Sequence, residues 1–327
     1  MEKKRKKINY LIEFGLILFI ALFVGFLFWN AMRIDKKEEA DGNTGKEPSQ
    51  SEIDLVEYEG KKYSYNHNLT NILFMGTDKE KMSDRPEVSG EAGQADVLLL
   101  LSLNKETKEA VIYQIPRETM TEIDVYDNNG NRIDSQFTQI AYQYAHSIGG
   151  KSSCWAVQKT VTELLHNVNI DGYIAMDIAA IPTLNDAIGG VTLTISEDYT
   201  MLDPALVKDS LVTLNGKQAQ DYIRYLDKEQ TFNNQQRMER QFQFITAWMD
   251  GMKNLEEEEF ENLYPLLEQH VITTMSEDEM KELIQFDYSD AESKFIPGEW
   301  VSGDTADEYH VDEELKKMVM EDFYIQK

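Results

Sequence analysis

The chain has 327 residues, room for one sizeable α/β domain together with an anchor and some decoration. With 59 acidic against 32 basic side chains its formal net charge is −27, which excludes a broad nucleic-acid-binding surface, because nothing offsets phosphate repulsion there. The single cysteine, Cys154, excludes an internal disulfide and reads as a buried, inert thiol, and the five scattered histidines show no zinc-ligand spacing.

Lys3, Lys4, Arg5, Lys6 and Lys7 form a basic cluster ahead of the apolar run Phe14 to Trp29. Extended from Leu11 to Met32, the run has roughly the ~20 residues that a membrane-spanning helix needs. Residues 1–10 are therefore expected to be a cytoplasmic basic N-terminus, 11–32 a single transmembrane helix, and everything beyond Arg33 extracytoplasmic. A cleaved signal peptide has a shorter apolar stretch and a small-residue cleavage site, whereas this one ends in Trp29-Asn30-Ala31-Met32. A buried soluble helix is rarely apolar on every face beside so basic a flank. Glu13 lies near the cytoplasmic end, within reach of the interface. Residues 33–63 are expected to be a stalk, since Ile34 to about Gly60 is rich in Lys, Glu, Asp, Gly and Ser and poor in large apolar groups.

Order is expected to begin near Asn71. Asn71 to Gly76 is a short apolar run closed by glycine, Val97 to Leu103 a second and Ala110 to Ile115 a third, each suited to a buried strand. Asn104-Lys-Glu-Thr-Lys108 reads as the hairpin turn between the last two. Apolar groups at helical spacing predict a helix over Ser152–His166. A strand at Tyr173–Met176 follows, then a helix over Ile178–Ile188 stopped by Gly189-Gly190, and an alternating strand at Val191–Ile195. Two more helices are predicted, Gly216–Tyr225 and about Asn234–Asn254. Interleaved strands and helices indicate an α/β fold, a mixed central sheet sandwiched by helices, over residues 64–254. Residues 255–327 read as an acidic C-terminal extension packed on that domain, with Glu256–Glu259 a solvated acidic run and Asp307–Asp322 an amphipathic helix. No internal repeat is visible.

Arginine is scarce, so its placement is informative. Arg117 follows the third strand in Ile115-Pro-Arg-Glu-Thr119, at the strand-end position where open α/β sheets carry their sites. Arg237 and Arg240 are three apart on one helix and Gln241 stands one turn from Arg237, so all three share a face. Planar guanidinium forks suit phosphate oxygens, although an acidic protein also offers every arginine a surface ion pair. Asp78 and Asp96 flank strand ends and have the oxygen chemistry for Mg²⁺, but Asp is equally an ordinary turn residue. The residues alone leave both readings open.

A series of blocks in the right order decides between them. Asn71-Ile-Leu-Phe-Met-Gly-Thr-Asp78, then Ala95-Asp96-Val97 and Ile115-Pro-Arg-Glu-Thr119, resemble the opening of a LytR-CpsA-Psr domain. Leu184-Asn-Asp-Ala-Ile-Gly-Gly-Val191, Leu214-Asn-Gly-Lys-Gln-Ala219 with Tyr222-Ile-Arg224, and Arg237-Met-Glu-Arg-Gln241 resemble its later signatures. The resemblance spans about Asn71 to Asp250, and the anchor and stalk share the family's layout.

It implies transfer of a glycopolymer, such as a teichoic acid or capsule, from an undecaprenyl-pyrophosphate carrier to a peptidoglycan hydroxyl at the membrane surface. Carried over by position, Asp78 and Asp96 would hold Mg²⁺. Arg117, Arg224, Arg237 and Gln241 would contact the pyrophosphate, with Arg240 counted among the substrate-binding set and supporting them, and Glu118 would join the catalytic group. An apolar tunnel would take the prenyl tail. Three departures stand against full activity: Gln94-Ala95-Asp96 where many members have Arg-Ser-Asp, Leu226 where the family has a second arginine after Tyr222, and Glu118 in place of aspartate. They sustain an alternative reading, a non-catalytic protein that binds polyprenyl phosphate or wall polymer in envelope regulation or assembly. Hydrolysis of the lipid pyrophosphate is a third.

Overall fold

The computed structural model describes residues 55–78, 93–227, 233–255, 257–303 and 306–327. The expected cytoplasmic segment 1–10, the anchor 11–32 and the stalk up to residue 54 lie outside the described residues. Among the described residues no helix is long and apolar enough to cross a membrane.

Strands β1 (Leu55–Tyr58) and β2 (Lys61–Tyr65) open the fold, followed by β3 (Leu69–Thr77), β4 (Ala95–Asn104) and β5 (Glu109–Gln114). A hairpin of β6 (Met120–Tyr126) and β7 (Arg132–Gln139) leads to helices α1 (Tyr142–Ala145) and α2 (Gly150–Leu164). Next come β8 (Gly172–Asp177), α3 (Ala180–Ala187), β9 (Val191–Thr194), β10 (Leu211–Leu214), α4 (Gly216–Arg224) and α5 (Asn234–Met252). The C-terminal part contains α6 (Glu257–His270), β11 (Val271–Thr273), α7 (Glu277–Leu283), β12 (Asp287–Phe295), β13 (Gly298–Ser302), β14 (Asp307–Val311), α8 (Glu314–Phe323) and β15 (Tyr324–Gln326).

The central sheet has six strands in the order β11-β8-β3-β4-β5-β12. It is mixed: β3 runs parallel to β8, β12 parallel to β5, and the remaining pairs are antiparallel. The run Leu98-Leu-Leu-Leu101 is apolar at every position because β4 is covered on both faces. Successive side chains point to opposite faces. Leu99 and Leu101 accordingly join the core formed with α3, α4 and α5, while Leu98 and Leu100 join the one formed with α2 and α8.

The predicted strands and helices of residues 71–254 stand within a few residues of where the sequence placed them, including the Asn104–Lys108 hairpin turn. Three expectations need correction. The ordered fold already includes Leu55–Tyr65: β1 pairs with β2, and β2 with the C-terminal β15, so the last residues assigned to the stalk are sheet. A division at 254/255 follows no break in the fold, because β11 and β12 form the two edges of the central sheet. The segment Asp307–Asp322 is a strand and then a helix: β14 pairs with β13 through Val311, and only Glu314 onward is helical.

Candidate active site

Asp96 owes its position to a β-bulge. Gly76 pairs with Val97 and Thr77 with Ala95, so Asp96 is the extra residue on β4. A bulge of this kind re-aims one side chain. Gly76 has no room for a side chain, since a Cβ there would meet Val97 Cγ2 at 2.9 Å. Next to the bulge, the amide of Asp78 donates to Gln94 O at 3.2 Å and the amide of Gln94 returns a bond to Asp78 Oδ1 at 2.7 Å. Asp78 is thereby brought close enough for its charge to work against ionisation of Asp96.

Arg117 and Glu118 sit in the turn after β5, closed by Thr119 N and Thr119 Oγ1 donating to Pro116 O. Arg117 Nη1 donates to Asp96 Oδ1 and Nη2 to the side-chain oxygen of Gln94. Its Nε lies 3.5 Å from Glu118 Oε1, an ion pair without hydrogen-bond geometry. Asn234 Nδ2, in the first turn of α5, donates to the same Glu118 oxygen. Burial raises the Glu118 carboxyl above its ordinary range, and the charges of Arg117 and Arg237 pull the other way. Burial likewise raises Asp96, opposed by Arg117, and lowers Arg237, opposed by Glu118 and Asp96.

Four of the seven buried side-chain polar atoms without a hydrogen-bond partner among the described residues fall in this cluster: Arg117 Nε, Glu118 Oε2, Asn234 Oδ1 and Arg237 Nε. Native proteins leave few such atoms unpaired, so their concentration marks a site built for an absent partner.

The cluster borders a cavity of about 1020 Å³. Asp96, Arg224, Arg237 and Gln241 form its polar wall, and Phe74, Leu99, Met176, Ile245 and Trp248 part of its apolar one. A second, narrow apolar cavity adjoins the first: Phe74, Met176, Ile245 and Trp248 border both, and Met252 and Met280 are among its other walls. A charged edge on an apolar cavity suits an amphiphile with an anionic head. The apolar residues of this wall were not separable from core in the sequence.

The structure thus brings together Asp78, Asp96, Arg117, Glu118, Arg224, Arg237 and Gln241. Arg117 and Glu118 are not in the cavity wall; they reach it through Asp96 and Arg237. Arg240 departs from the expected substrate-binding set. It is 3% exposed and lines neither cavity, because its guanidinium donates to Tyr222 O and Tyr199 Oη, both at 2.8 Å, and to Tyr225 O. The rings of Tyr199, Tyr222 and Tyr225 surround it, 4.9–5.9 Å from the guanidinium carbon. The two carbonyls it holds, of Tyr222 and Tyr225, bracket Arg224 in the chain.

Sequence reasoning passed over Asp177, which is fully buried in the cavity wall, accepts from Ala180 N at 2.9 Å and pairs with His270 Nδ1 at 3.1 Å. A carboxylate between a strand and a helix was the available signal, and capping of α3 is the function it performs.

A model of the LytR_cpsA_psr family matches residues 28–322. The chain belongs to the LytR-CpsA-Psr family. It is 28% identical over 308 residues to the polyisoprenyl-teichoic acid–peptidoglycan teichoic acid transferase TagU of Bacillus licheniformis, an alignment covering 91% of this chain and 87% of the relative. The TagU of Oceanobacillus iheyensis is 27% identical over 76% of this chain and 71% of its own. Among solved structures, Bacillus subtilis TagV superposes with a TM-score of 0.59 at 23% identity, covering 78% of this chain and 97% of that one. TagT bound to LIIa-WTA gives 0.58 at 19% identity, covering 79% and 91%. These superpositions show that the LytR-CpsA-Psr chain described here shares their α/β fold.

Two carboxylates suit Mg²⁺, which commonly takes one or two of them together with water and substrate phosphate oxygens. Asp78 and Asp96 each have one oxygen engaged, by Gln94 N and by Arg117 respectively, which leaves the second oxygen of each to ligate. Among the described residues no group of three or more His, Cys, Asp or Glu forms a fuller metal site.

Proposed function

We propose that the chain transfers a glycopolymer from a polyprenyl-pyrophosphate carrier to a peptidoglycan hydroxyl. The observation that carries this reading is a single cavity walled on one side by Asp96, Arg224, Arg237 and Gln241 and on the other by Phe74, Leu99, Met176, Ile245 and Trp248. The named activity of the TagU relatives supports it.

The prenyl tail lies in the apolar cavity and the pyrophosphate at its mouth. The acceptor oxygen forms a bond to the phosphorus carrying the polymer, and the bond from that phosphorus to the lipid phosphate breaks. The polymer leaves as a phosphodiester on the acceptor, and polyprenyl phosphate remains. Arg224 and Arg237 meet the charge growing on the phosphoryl and departing oxygens, and Gln241 adds a neutral donor. Arg117 holds Asp96 in place. Glu118 orders Arg117, and its unpartnered Oε2 is the group available to take the acceptor's proton. Asp78 and Asp96 are the residues that would hold Mg²⁺, which supplies positive charge against the phosphate oxygens.

One observation favours the alternative of binding without turnover. Both Nη groups of Arg117 are engaged, by Asp96 and by the Gln94 that replaces a family arginine. The deciding experiment measures polyprenyl-pyrophosphate binding and release of lipid phosphate together, with Mg²⁺ and an acceptor glycan supplied. Asp78→Asn with Asp96→Asn is expected to abolish release. Tight binding by the wild type with no release across several acceptors selects the binder.

The proposal places residues 1–10 in the cytoplasm, the anchor at 11–32 and the remainder outside the cell. Protease added to intact protoplasts is then expected to degrade the folded domain, and survival beside a cleaved external control reverses the orientation.

A further inference from the structure

A separate cavity of about 510 Å³ opens at the N-terminus of α2 and shares no lining residue with the arginine cavity. Its walls include Tyr126, Ser147, Lys151, Ser152 and Trp155. Three features set it apart from an ordinary surface dent.

The first is the helix end itself. Gly149, at φ 81°, caps α2, and no side chain accepts from the first-turn amides. The positive dipole end of a fifteen-residue helix, with its unbonded first-turn N–H groups, therefore lies beside the cavity, which Lys151 and Ser152 of that turn line. The second is Ser147, a 3% exposed residue in the cavity wall whose side chain makes no hydrogen bond to the described residues. A hydroxyl at a cavity wall without a protein partner is left to bond water or a ligand there. The third is Trp155, which leaves 53% of its surface exposed in the second turn of the helix. Lys151 is exposed beside it and forms no ion pair with the described residues. The facing hairpin carboxylate, Asp127, is taken up by Asn129 N, Asn131 N and Asn131 Nδ2.

An indole face with an anion-binding helix end beside it matches a sugar ring that carries an acidic substituent. We propose that this cavity binds a carboxylate-bearing glycan and is the acceptor subsite. The ring lies on Trp155, and the carboxylate lies at the α2 N-terminus with Lys151 and Ser147. The word acceptor rests on the transfer reading above; the glycan site does not.

The position is within reach of the reaction. Ala141 accepts from Ala95 N and donates to Arg117 O, next to Asp96 and Glu118. Ser147 follows six residues later, part of that span being helix α1, so the two points are less than about 20 Å apart.

The test uses the full-length protein and three soluble probes, without lipid donor. They are a muropeptide tetrasaccharide with free carboxylates, chitotetraose as its uncharged counterpart, and an oligo(glycerol phosphate). Calorimetry is expected to show the muropeptide binding more tightly than chitotetraose. Trp155→Ala should weaken the muropeptide about tenfold. Lys151→Gln should weaken it several-fold and narrow its advantage over chitotetraose. The thermal midpoint and polyprenyl-pyrophosphate binding should not change in either variant. In the transfer assay, Trp155→Ala should raise the acceptor KM and leave kcat unaltered. Absence of muropeptide binding, or binding indifferent to both variants, overturns the site. Preference for the glycerol phosphate oligomer overturns the acceptor assignment in favour of the donor polymer. Muropeptide binding that depends on Trp155 in a protein without any transfer supports the glycan site and removes the transfer reading alone.

Discussion

Arg240 donates through Nε and Nη2 to the carbonyls on either side of Arg224, at Tyr222 and Tyr225, and so fixes the C-terminal end of α4 from beneath. Its charge is buried against three tyrosine rings and carbonyl oxygens, and none of its hydrogen-bond acceptors is a carboxylate. Replacing Arg240 with Met removes donors from two carbonyls and a tyrosine hydroxyl. Unfolding in urea is expected to show a loss of about 3 kcal/mol. Arg240→Lys should recover only part of it, because one ammonium cannot span all three acceptors. Pyrophosphate affinity should fall with Arg240→Lys even where the fold persists. An undiminished affinity would show that Arg224 needs no such support.

Gln94 offers a contrasting case. Its side-chain oxygen accepts from Arg117 Nη2, a role no arginine can perform. Gln94→Arg therefore both releases Arg117 and adds a cation. Binding of polyprenyl pyrophosphate is expected to tighten about tenfold. Weaker binding would mean that Arg117 depends on Gln94 for its position more than the site lacks charge.

The pair Arg237 and Arg240 shows where sequence reading stops. Both stand on one helix at a spacing that puts them on a common face, yet one lines the cavity and the other turns under the tyrosines. Helical spacing fixes where side chains start, and packing against α4 decides where a long one ends. The apolar runs at Leu69–Thr77, Ala95–Asn104 and Asn234–Met252 were legible because burial on both faces, or amphipathic spacing, writes itself into residue type. The sheet edges were not: β11 is three residues long, and β12 reads Asp-Tyr-Ser-Asp-Ala-Glu-Ser-Lys-Phe, polar at most positions as edge strands are. Phe74, Ile245 and Trp248 line a cavity with the same side chains that would fill a core. Of the site residues, the order of the sequence blocks pointed to the charged ones, but the bulge that turns Asp96 inward depends on the register with Gly76.

Stability should carry an acid limb traceable to Asp124. Burial tends to raise its carboxyl, but hydrogen bonds and charge from Lys159 and Arg132 outweigh that and hold it below the ordinary aspartate value. A depressed carboxyl contributes fully above the unfolded value of about 3.9 and loses that contribution as pH falls through the lower folded value. Asp124→Asn is expected to lower the midpoint of urea unfolding at pH 7 and to flatten its decline between about pH 4 and the folded value. An acid limb as steep as that of the wild type would assign it to other carboxylates.

The apolar cavity can be tested by filling it. Ile245 lines both the larger cavity and the narrow one adjoining it. In a packed core Ile245→Trp would cost about 1–3 kcal/mol through overpacking, whereas at a cavity wall the ring has space to occupy. Stability is expected to change by less than about 1 kcal/mol while affinity for a long prenyl pyrophosphate drops at least tenfold. Inorganic pyrophosphate, which needs only the charged mouth, should bind as before. Retained binding of the long-chain lipid would place the tail elsewhere.

Arg237 separates catalysis from binding. It lines the cavity mouth beside Arg224, its Nε is buried without a hydrogen-bond partner, and burial lowers its affinity for its own proton. A desolvated guanidinium with an unused donor is prepared for an anion whose charge grows during reaction. Arg237→Lys keeps the charge but replaces the planar fork with a single point. If that fork meets the pyrophosphate chiefly in the transition state, kcat falls by one to two orders of magnitude, about 1.4–2.8 kcal/mol, and KM moves little. If it meets ground state and transition state alike, KM rises and kcat holds. Steady-state release of lipid phosphate over a range of substrate distinguishes the two. Equal binding and equal release in the lysine variant would remove Arg237 from the site, and with it the assignment of this cavity to pyrophosphate.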